Sequence, residues 1–275
     1  MTQAPHRARP VSAQTRIGGG ETMMVQSVDE SLRRLGTDYI DLLYLHVWDS
    51  RTPVDEILRA FDDLVRAGKI VYAGLSDTPA WQASRMQAIA ELRGWSPFVA
   101  LQIPYNLTER TVERELMPMA LEMGLGVLPW SPLAGGVLSG KYQASDLKQA
   151  VGEVNPRFDS RKEINLSTGR LSERNLAIAA VARTMSEEIG CTPAQVALAW
   201  TLLNPAVASP ILGARTLAQL QDNLGALEVT LAAEQITRLD AVSRIDLGFP
   251  HEFLASGAAM RTMFGGVKVA TRRAL

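Results

Sequence analysis

The sequence has few of the features that mark secreted, membrane-spanning or nucleic-acid-binding proteins. Its 275 residues include one cysteine, Cys191, which excludes an intrachain disulfide framework and fits a reducing cytoplasm. No apolar run approaches the roughly 18 residues that a membrane-spanning helix needs. The 28 basic and 29 acidic side chains leave a net charge of −1, which gives no electrostatic reason to expect nucleic acid or an acidic membrane surface. We therefore expect a cytoplasmic protein that binds neither of them.

The sequence also lacks a Gly-x-Gly-x-x-Gly turn between a strand and a helix, which argues against a Rossmann fold. Residues 1–20, rich in Pro, Arg, Ser and Gly, predict a flexible N-terminal tail. Beyond them, strands are predicted at 39–46, 70–76, 98–102, 125–130 and 207–212. Helices that follow them are predicted at about 79–93, 108–123, 172–189, 193–203, 216–226 and 232–243. Because parallel neighbouring strands need helical crossovers, this alternation predicts an α/β domain around a parallel sheet.

Six segments together resemble the aldo-keto reductase family in their order and spacing. They are SLRRLGTDYIDLLYLH (31–46), GKIVYAGLSDTPAW (68–81), FVALQIPYN (98–106), VLPWSPLAGGVLSGKY (127–142), TPAQVALAW (192–200) and PILGARTLAQLQDNLGAL (210–227). The resemblance implies a TIM-type (β/α)8 barrel in which the five predicted strands are the fourth to the eighth, with about the first three missing. We therefore expect an N-terminally truncated member, with a partial barrel at 21–245 and a C-terminal tail at 246–275.

The resemblance also implies a reaction, the NADP(H)-dependent reduction of an aldehyde or ketone by hydride transfer without a metal. His46 ends the first of the predicted strands and matches the family's active-site histidine, which orients the carbonyl and stabilises the developing oxyanion. Trp48 matches a loop that shapes the substrate pocket. Tyr44 has the strand parity of His46 but lies two residues deeper, so we expect it to be a core residue.

The nicotinamide end of the cofactor is expected to contact four matching residues. Ser76, Asp77 and Gln102 match residues that hydrogen-bond the carboxamide. Asp77 replaces the asparagine of many members, and an ionised aspartate accepts from the amide NH2 but cannot donate. Trp130 matches the aromatic residue that stacks on the nicotinamide ring and leaves one face open for hydride transfer.

The rest of the dinucleotide is expected on a glycine-containing segment and at a helix start. Gly213 precedes a helix whose N-terminal donors suit an anion, and Arg215 matches the 2′-phosphate contact that favours NADP over NAD. The other matches are Ser131, Leu133, Gly135 and Lys141 along the pyrophosphate, and Gln219 and Asn223 against the adenosine.

The family's catalytic tetrad is Asp, Tyr, Lys and His, and His46 is the one member with a match in this sequence. A positioned proton donor, here the tyrosine of the tetrad, contributes roughly 10²–10⁴-fold in rate. Because this sequence has no match for it, three interpretations other than an active reductase stay open. The chain could be a non-catalytic NADP(H)-binding sensor or regulatory protein, a nonfunctional truncated remnant, or an unrelated five-stranded α/β binding module. Because absent strands would leave sheet edges unpaired, we also expect a homo-oligomer or another partner to cover the open barrel edge.

Overall fold

A computed structural model of the protein describes residues 12–15, 20–150, 160–265 and 267. The described chain divides into two compact units. The first consists of the described residues up to Ile103 together with Met119–Leu128, and the second of Pro104–Pro118 and the described residues from Pro129 onward. The predicted functional positions divide between them, because those up to Gln102 belong to the first unit and those from Trp130 onward belong to the second.

A five-stranded sheet forms the centre of the first unit. Its strands, in spatial order, are β1 (Ser12–Thr15), β2 (Ile40–Leu45), β3 (Ile70–Ser76), β4 (Phe98–Pro104) and β5 (Gly126–Trp130). The pairs β1–β2, β2–β3 and β3–β4 are parallel. The sequences of β2 to β4 are nearly continuous apolar runs, as expected for strands of a parallel sheet that is covered on both faces.

Helical crossovers connect these parallel strands. They are α1 (Gly20–Leu35), α2 (Val54–Arg66) and α3 (Ala80–Arg93), and α4 (Leu116–Met123) precedes β5. Proline directly precedes α2 and α3, where its fixed φ suits a helix start and its missing N–H leaves no donor unsatisfied. The amphipathic α2 buries Phe61, whose ring meets that of Phe98 edge to face at 5.3 Å between centroids.

A buried carboxylate, Asp62, ties α2 to the turn before β4. It accepts hydrogen bonds from Ser96 N at 2.9 Å, Ser96 Oγ at 3.0 Å and Arg66 Nε at 2.5 Å. Burial opposes ionisation of Asp62, but these hydrogen bonds and the charge of Arg66 hold its pKa below the ordinary value. Asp62 is therefore ionised and fully paired inside the first unit.

The second unit is mostly helical, and side-chain caps begin several of its helices. The helices are α5 (Arg161–Ser167), α6 (Glu173–Ile189), α7 (Pro193–Leu202), α8 (Leu217–Leu224), α9 (Ala233–Ser243), α10 (His251–Ala255) and α11 (Gly257–Phe264). Before α5, α6, α7 and α8 stands a serine or threonine whose hydroxyl accepts from the backbone N–H three residues on. Helices α6 and α7 confirm the helices predicted at 172–189 and 193–203.

A charged network fixes the segment that follows β4 within the second unit. Arg110 donates to Glu113 Oε1 at 2.9 Å, Asp240 Oδ1 at 3.0 Å and Ser243 Oγ at 2.7 Å. Its guanidinium carbon lies 4.9 Å from the ring centroid of Trp200. Burial opposes the charge of Arg110, but Glu113 and Asp240 raise its pKa above the ordinary value. The segment after β4 is thereby anchored to α7 and α9.

The two ends of the sheet differ from the sequence prediction. Residues 12–15, expected in a flexible tail, form β1 and pair with β2 from Ser12↔Leu42 to Thr15↔Leu45, which corrects that expectation for this stretch. The strand predicted at 207–212 does not form. The N–H of Val207 donates to Asn204 O within a turn, and Pro210 has no N–H to donate. The N–H of Ile211 donates to Pro129 O at 2.8 Å.

The tail predicted at 246–275 contains α10 and α11 in its described part, while its boundary stays a prediction. Within the described ranges, none of the helices is both long enough and apolar enough to cross a membrane.

Candidate functional site

In the first unit, the structure places three predicted site residues at neighbouring strand ends. Ser76, the last residue of β3, lies opposite Gln102 of β4 in the parallel register. His46 follows Leu45, which is paired with Leu75, so the same register continued by one residue puts His46 beside Ser76. Adjacent strands lie about 4.8 Å apart, so the three side chains form a short row at the carboxyl edge of the sheet.

His46 is the member of this row with an unmet polar group. Its side chain is half-buried, and its Nδ1 atom is buried without a hydrogen-bond partner among the residues that the structure describes. A buried ring nitrogen normally finds a partner, so one left without any suggests that its partner is a ligand or a water molecule. Ser76 and Gln102 are both buried, at 1% and 6% exposure.

Tyr44 lies beneath this row and is a core residue, as expected. It is fully buried, and its ring fills the space that a side chain at Gly74 would occupy, where a Cβ would lie 2.6 Å from Tyr44 Cε1. Burial raises the pKa of Tyr44 to about 12, and the side chain of Gln102 lowers it by less. A fully buried phenol that holds its proton this firmly is unsuited to be the proton donor of a carbonyl reduction.

The remaining first-unit positions lie on the connections after β2 and β3. Trp48 is half-buried and meets Trp81 edge to face, with 5.6 Å between ring centroids. Asp77 is exposed and has a positive φ of 43°, in the left-handed region that aspartate tolerates better than most residues. Thr78 Oγ1 donates to Ser76 O at 3.0 Å and helps to fix this turn.

In the second unit, the end of β5 borders a cleft of about 260 Å³. Trp130 and Ser131 line the cleft, and Ser131 adopts a positive φ of 51°. The guanidinium carbon of Arg170 lies 5.7 Å from the centroid of the Trp130 ring, within the range of cation–π contacts. Asn106 Nδ2 donates to Ser131 O at 3.0 Å and holds the turn in place.

Several polar residues of this cleft were not predicted from the sequence, among them Arg170, Asn106 and Asn175. Asn106 could have been found, because it ends the FVALQIPYN segment that was already singled out. Arg170 and Asn175 carry no such signal. Arg170 lies between α5 and α6, and Asn175 lies in the first turn of α6. Nothing in the spacing of residues there predicts which way a side chain points.

The glycine-containing segment after Trp130 forms a 3₁₀ helix, Ala134–Ser139, with two left-handed positions. Gly135 has a φ of 66° and Gly136 one of 91°. Asn165 Nδ2 donates to Gly135 O at 3.1 Å, and a Cβ on Gly135 would overlap Asn165 Oδ1. A Cβ on Gly136 would lie 2.8 Å from the ammonium nitrogen of Lys141, so this cation lies directly over backbone that carries no side chain.

Three of the predicted pyrophosphate positions therefore have a distinct arrangement. Asn165 packs against Gly135, the exposed Lys141 lies over the bare backbone of the next residue, Gly136, and the half-buried Leu133 accepts from Gly136 N at 2.8 Å. Bare backbone beside an ammonium group is suited to the close approach of a phosphate. This cradle is the feature of the second unit that best fits the pyrophosphate of a dinucleotide.

The predicted nucleotide residues around α8 occupy an exposed helix start. Thr216 caps α8 by accepting from Gln219 N at 3.2 Å, and Gln219 Oε1 in turn accepts from Arg215 N at 2.9 Å. Gly213 and Arg215 are exposed, and the Arg215 guanidinium has no hydrogen-bond or ion-pair partner in the described part of the chain. Asn223 is buried at 7% exposure, so its environment differs from that of the exposed Gln219.

Comparison with known proteins gives a family match over most of the chain. The model of the Aldo/keto reductase family matches residues 12–244. An uncharacterized oxidoreductase, YrpG, from Bacillus subtilis (strain 168) is 40% identical over 215 residues, 78% of this chain and 62% of that protein. Norsolorinic acid reductase B from Dothistroma septosporum is 34% identical over 251 residues, 91% of this chain and 60% of that protein.

A third relative carries a cofactor in its name. Aryl-alcohol dehydrogenase [NADP(+)] from Phanerodontia chrysosporium is 32% identical over 244 residues, 88% of this chain and 62% of that protein. The chain thus spans about 60% of the length of these three relatives. With a family model matched over residues 12–244, the chain belongs to the aldo/keto reductase family.

Proposed function

We propose that this protein acts in the NADP(H)-dependent reduction of a small aldehyde or ketone by hydride transfer. The observation that carries the proposal is His46, half-buried at the end of β2 with a ring nitrogen that lacks a partner among the described residues. Its neighbours in the sheet register are Ser76 and Gln102, which are polar and buried. Relatives named as oxidoreductases, one of them with NADP(+), support the same class of reaction.

His46 is proposed to bind and orient the substrate carbonyl. A neutral imidazole donates one hydrogen bond, and a donor aimed at the carbonyl oxygen stabilises the negative charge that develops there. Trp48, which follows β2, and its edge-to-face partner Trp81 at the start of α3 would form an apolar wall. Such a wall excludes water from the carbonyl, and Trp48 is the proposed substrate contact.

The residues present fit a phosphorylated dinucleotide. Lys141 and the backbone of Gly135 and Gly136, bare at Gly136, would hold the pyrophosphate, together with Ser131 and Leu133 on the same segment. Arg215, exposed and without a partner in the described chain, would hold the 2′-phosphate next to Gly213. Bound NADPH would supply the hydride.

Six further residues complete the proposed cofactor contacts. Ser76, Asp77 and Gln102 would bind the nicotinamide carboxamide, and Gln219 and Asn223 would contact the adenosine. Trp130 is proposed to stack on the nicotinamide ring. Because Arg170 occupies one side of the Trp130 ring, the stacking surface of Trp130 would be the other side.

The proton donor is the weakest part of the proposed machinery. The tetrad Asp, Tyr and Lys have no match in this sequence, and the buried Tyr44 is unsuited to replace the tyrosine. A missing acid lowers the rate of carbonyl reduction by roughly 10²–10⁴-fold. We therefore propose that residues 1–275 bind NADP(H) and reduce carbonyls slowly.

Two measurements on the same preparation test this function. NADPH binding is followed by the change in cofactor fluorescence, and reduction of an aromatic aldehyde by NADPH consumption. We expect His46→Ala to lower kcat/KM by about 10²–10³-fold while NADPH binding is retained, because one oxyanion donor is lost. The control His251→Gln removes a histidine on α10 and should change neither quantity.

The outcomes separate the competing interpretations. Turnover that falls in His46→Ala supports the proposed reduction. Binding of NADPH without any turnover contradicts it and favours a sensor or regulatory role. The absence of both binding and turnover favours a nonfunctional remnant or an unrelated binding module.

A further inference from the structure

Asn165 is a buried polar residue of the second unit that none of the proposed cofactor contacts includes. It lies on α5 and is completely buried, at 0% exposure. Its Nδ2 atom donates to Gly135 O at 3.1 Å and reaches the hydroxyl oxygen of Tyr142 at 3.4 Å. One amide group therefore contacts both ends of the loop that carries Gly136 and Lys141.

The carbonyl oxygen of the Asn165 side chain, in contrast, is unpaired. Oδ1 is buried and has no hydrogen-bond partner among the residues that the structure describes. A buried acceptor without a partner costs free energy, so stability alone does not explain an asparagine at this position. The amide also packs so closely on Gly135 that a Cβ there would overlap Oδ1. These features indicate that Asn165 serves the loop that it contacts.

The loop needs such support because it contains two consecutive glycines. Gly135 and Gly136 have φ values of 66° and 91°, and glycine adopts positive and negative φ about equally readily. Without an external hold, the peptide groups here would be free to rotate and to direct a carbonyl oxygen at an anion. Asn165 holds Gly135 O, and the Ser139 hydroxyl donates to Gly136 O at 2.8 Å. Both carbonyl oxygens of the glycine pair are thus held by side chains.

The second contact of Asn165 leads to the cation of the loop. Lys141 Nζ lies 5.0 Å from the centroid of the Tyr142 ring, whose hydroxyl Asn165 contacts. This distance is within the range of cation–π contacts, so the ring restricts where the ammonium group lies. The same ammonium group lies 2.8 Å from the position of a Cβ on Gly136. Asn165 therefore acts on the backbone directly and on the ammonium group through Tyr142.

We propose that Asn165 is a positioning residue, which holds the loop from Gly135 to Tyr142 in the conformation that accepts the pyrophosphate of the cofactor. Asn165 acts on the phosphates only through the loop. Its contribution is preorganisation, because the loop is ordered before the ligand binds and binding then costs less entropy. The proposal rests on the proposed NADP(H) site for its ligand, whereas binding can be measured without turnover. All the groups involved belong to the second unit.

The binding test compares NADPH with adenosine 2′-monophosphate, which has the 2′-phosphate but no pyrophosphate. Calorimetry with the full chain measures both affinities. We expect Asn165→Ala to weaken NADPH binding about 5- to 10-fold, as expected for one lost hydrogen bond, and to leave binding of adenosine 2′-monophosphate unchanged. If both affinities fall to the same extent, or neither falls, the proposal is wrong.

The matched control is Asn204→Ala. The half-buried Asn204 also donates through Nδ2 to a tyrosine hydroxyl, that of Tyr105, at 3.3 Å, but it lies outside the loop. Its replacement removes a similar hydrogen bond from the second unit and should change neither affinity. An equal loss of NADPH affinity in Asn204→Ala and Asn165→Ala would show a general effect of destabilisation and contradict the proposal.

A double-mutant cycle tests the link between Asn165 and the ammonium group. Asn165→Ala should weaken NADPH binding less in a Lys141→Met background than in the wild type, because the group that it positions is then absent. Equal losses in the two backgrounds contradict the link.

A second variant keeps the proposal testable if Asn165→Ala fails to fold. Tyr142→Phe keeps the ring beside Lys141 and removes only the hydroxyl that Asn165 contacts. NADPH affinity that falls about 2-fold or more, with adenosine 2′-monophosphate unaffected, supports the proposal. An NADPH affinity equal to that of the wild type overturns it.

Kinetics distinguish positioning from a loss of folded protein. Asn165→Ala should raise the KM for NADPH about 5- to 10-fold at unchanged kcat, whereas a lower kcat at unchanged KM would contradict the proposal. If the wild type binds NADPH but reduces no aldehyde, the proposed reduction fails while the binding comparison still tests Asn165. If the wild type binds inorganic pyrophosphate but not NADPH, pyrophosphate takes the place of NADPH in that comparison. If it binds neither, the role of Asn165 is wrong as well.

Discussion

Replacing Gly135 by alanine should destabilise the protein far more than the same change at Gly190. Both residues have positive φ, 66° at Gly135 and 80° at Gly190, so each alanine incurs a left-handed backbone cost of about 1–2 kcal/mol. The surroundings differ. Nothing lies within 4 Å of a Cβ on Gly190, whereas a Cβ on Gly135 would overlap the fully buried Asn165.

The additional cost at Gly135 has two parts. Displacing a buried side chain by overpacking costs about 1–3 kcal/mol. Loss of the 3.1 Å hydrogen bond from Asn165 Nδ2 to Gly135 O adds about 1 kcal/mol. We therefore expect Gly135→Ala to lower the free energy of unfolding by about 2–4 kcal/mol more than Gly190→Ala.

Urea unfolding followed by circular dichroism measures this difference, and a double mutant identifies its cause. In an Asn165→Ala background the overlap is relieved, so Gly135→Ala should then cost no more than Gly190→Ala. If Gly135→Ala and Gly190→Ala are equally destabilising in the wild-type background, the tight packing of Asn165 against this loop is wrong. If the double mutant shows no coupling, the cost arises elsewhere.

Three further predictions concern the core of the first unit. Asp62→Asn should lower the free energy of unfolding by about 1–3 kcal/mol near neutral pH. Because the folded-state pKa of Asp62 is depressed, the stabilisation from the ionised Asp62 is present above the unfolded-state pKa and is lost as the pH falls through the folded-state pKa. Urea unfolding of the wild type and the variant at neutral and acid pH measures this difference. Tyr44→Phe should change the free energy of unfolding by about 1 kcal/mol or less at neutral pH, because the hydroxyl makes no hydrogen bond of normal geometry in the described chain, although the Gln102 side chain is close enough to lower the Tyr44 pKa. Because burial raises the pKa of folded Tyr44, the wild type should lose stability from about pH 10 to about pH 12 as the unfolded tyrosine ionises first, and the variant should lose less. Gly74→Ala should cost about 1–3 kcal/mol through its contact with the Tyr44 ring, and an unchanged free energy of unfolding would show that the ring moves aside freely.

The elements that were predicted correctly from the sequence have their start and stop signals within a few neighbouring residues. Thr192 caps α7, Pro193 occupies its first position and Gln195 closes the capping box, so three residues close together in the sequence set the start of α7. The fold class, α/β of the TIM-type (β/α)8 barrel, is confirmed by the family match and the parallel sheet. Alternation of strands and helices predicted the α/β class, and the resemblance to the aldo-keto reductase family implied the barrel.

The misplaced strand shows what a local pattern leaves out. Residues 207–212 have strand-forming side chains, but a strand exists only where its backbone groups find partners. Pro210 lacks the backbone N–H that a strand residue would donate, and Ile211 donates its backbone N–H to Pro129 O. The opposite case is Ser12–Thr15, whose polar sequence gives a weak strand signal, yet it pairs with β2.

The candidate site was predictable where it lies on strand ends and unpredictable where it depends on loops. His46, Ser76 and Gln102 lie at or near the ends of neighbouring parallel strands, so their proximity follows from the order and register of the strands. Arg170 reaches the cleft because the chain after α5 returns to the end of β5, 40 residues after Trp130 in the sequence. No periodicity encodes such a return.

The role of Arg215 is decided by calorimetric binding of NADPH and NADH to the wild type and to Arg215→Met, with Arg183→Met, at an exposed arginine of α6, as the charge-matched control. If Arg215 holds the 2′-phosphate, the wild type and Arg183→Met bind NADPH about 10-fold or more tightly than NADH, since a charged 2′-phosphate contact is lost with NADH, and Arg215→Met abolishes this preference. Equal affinity of the wild type for the two cofactors, or a preference for NADPH that survives in Arg215→Met, would contradict this role.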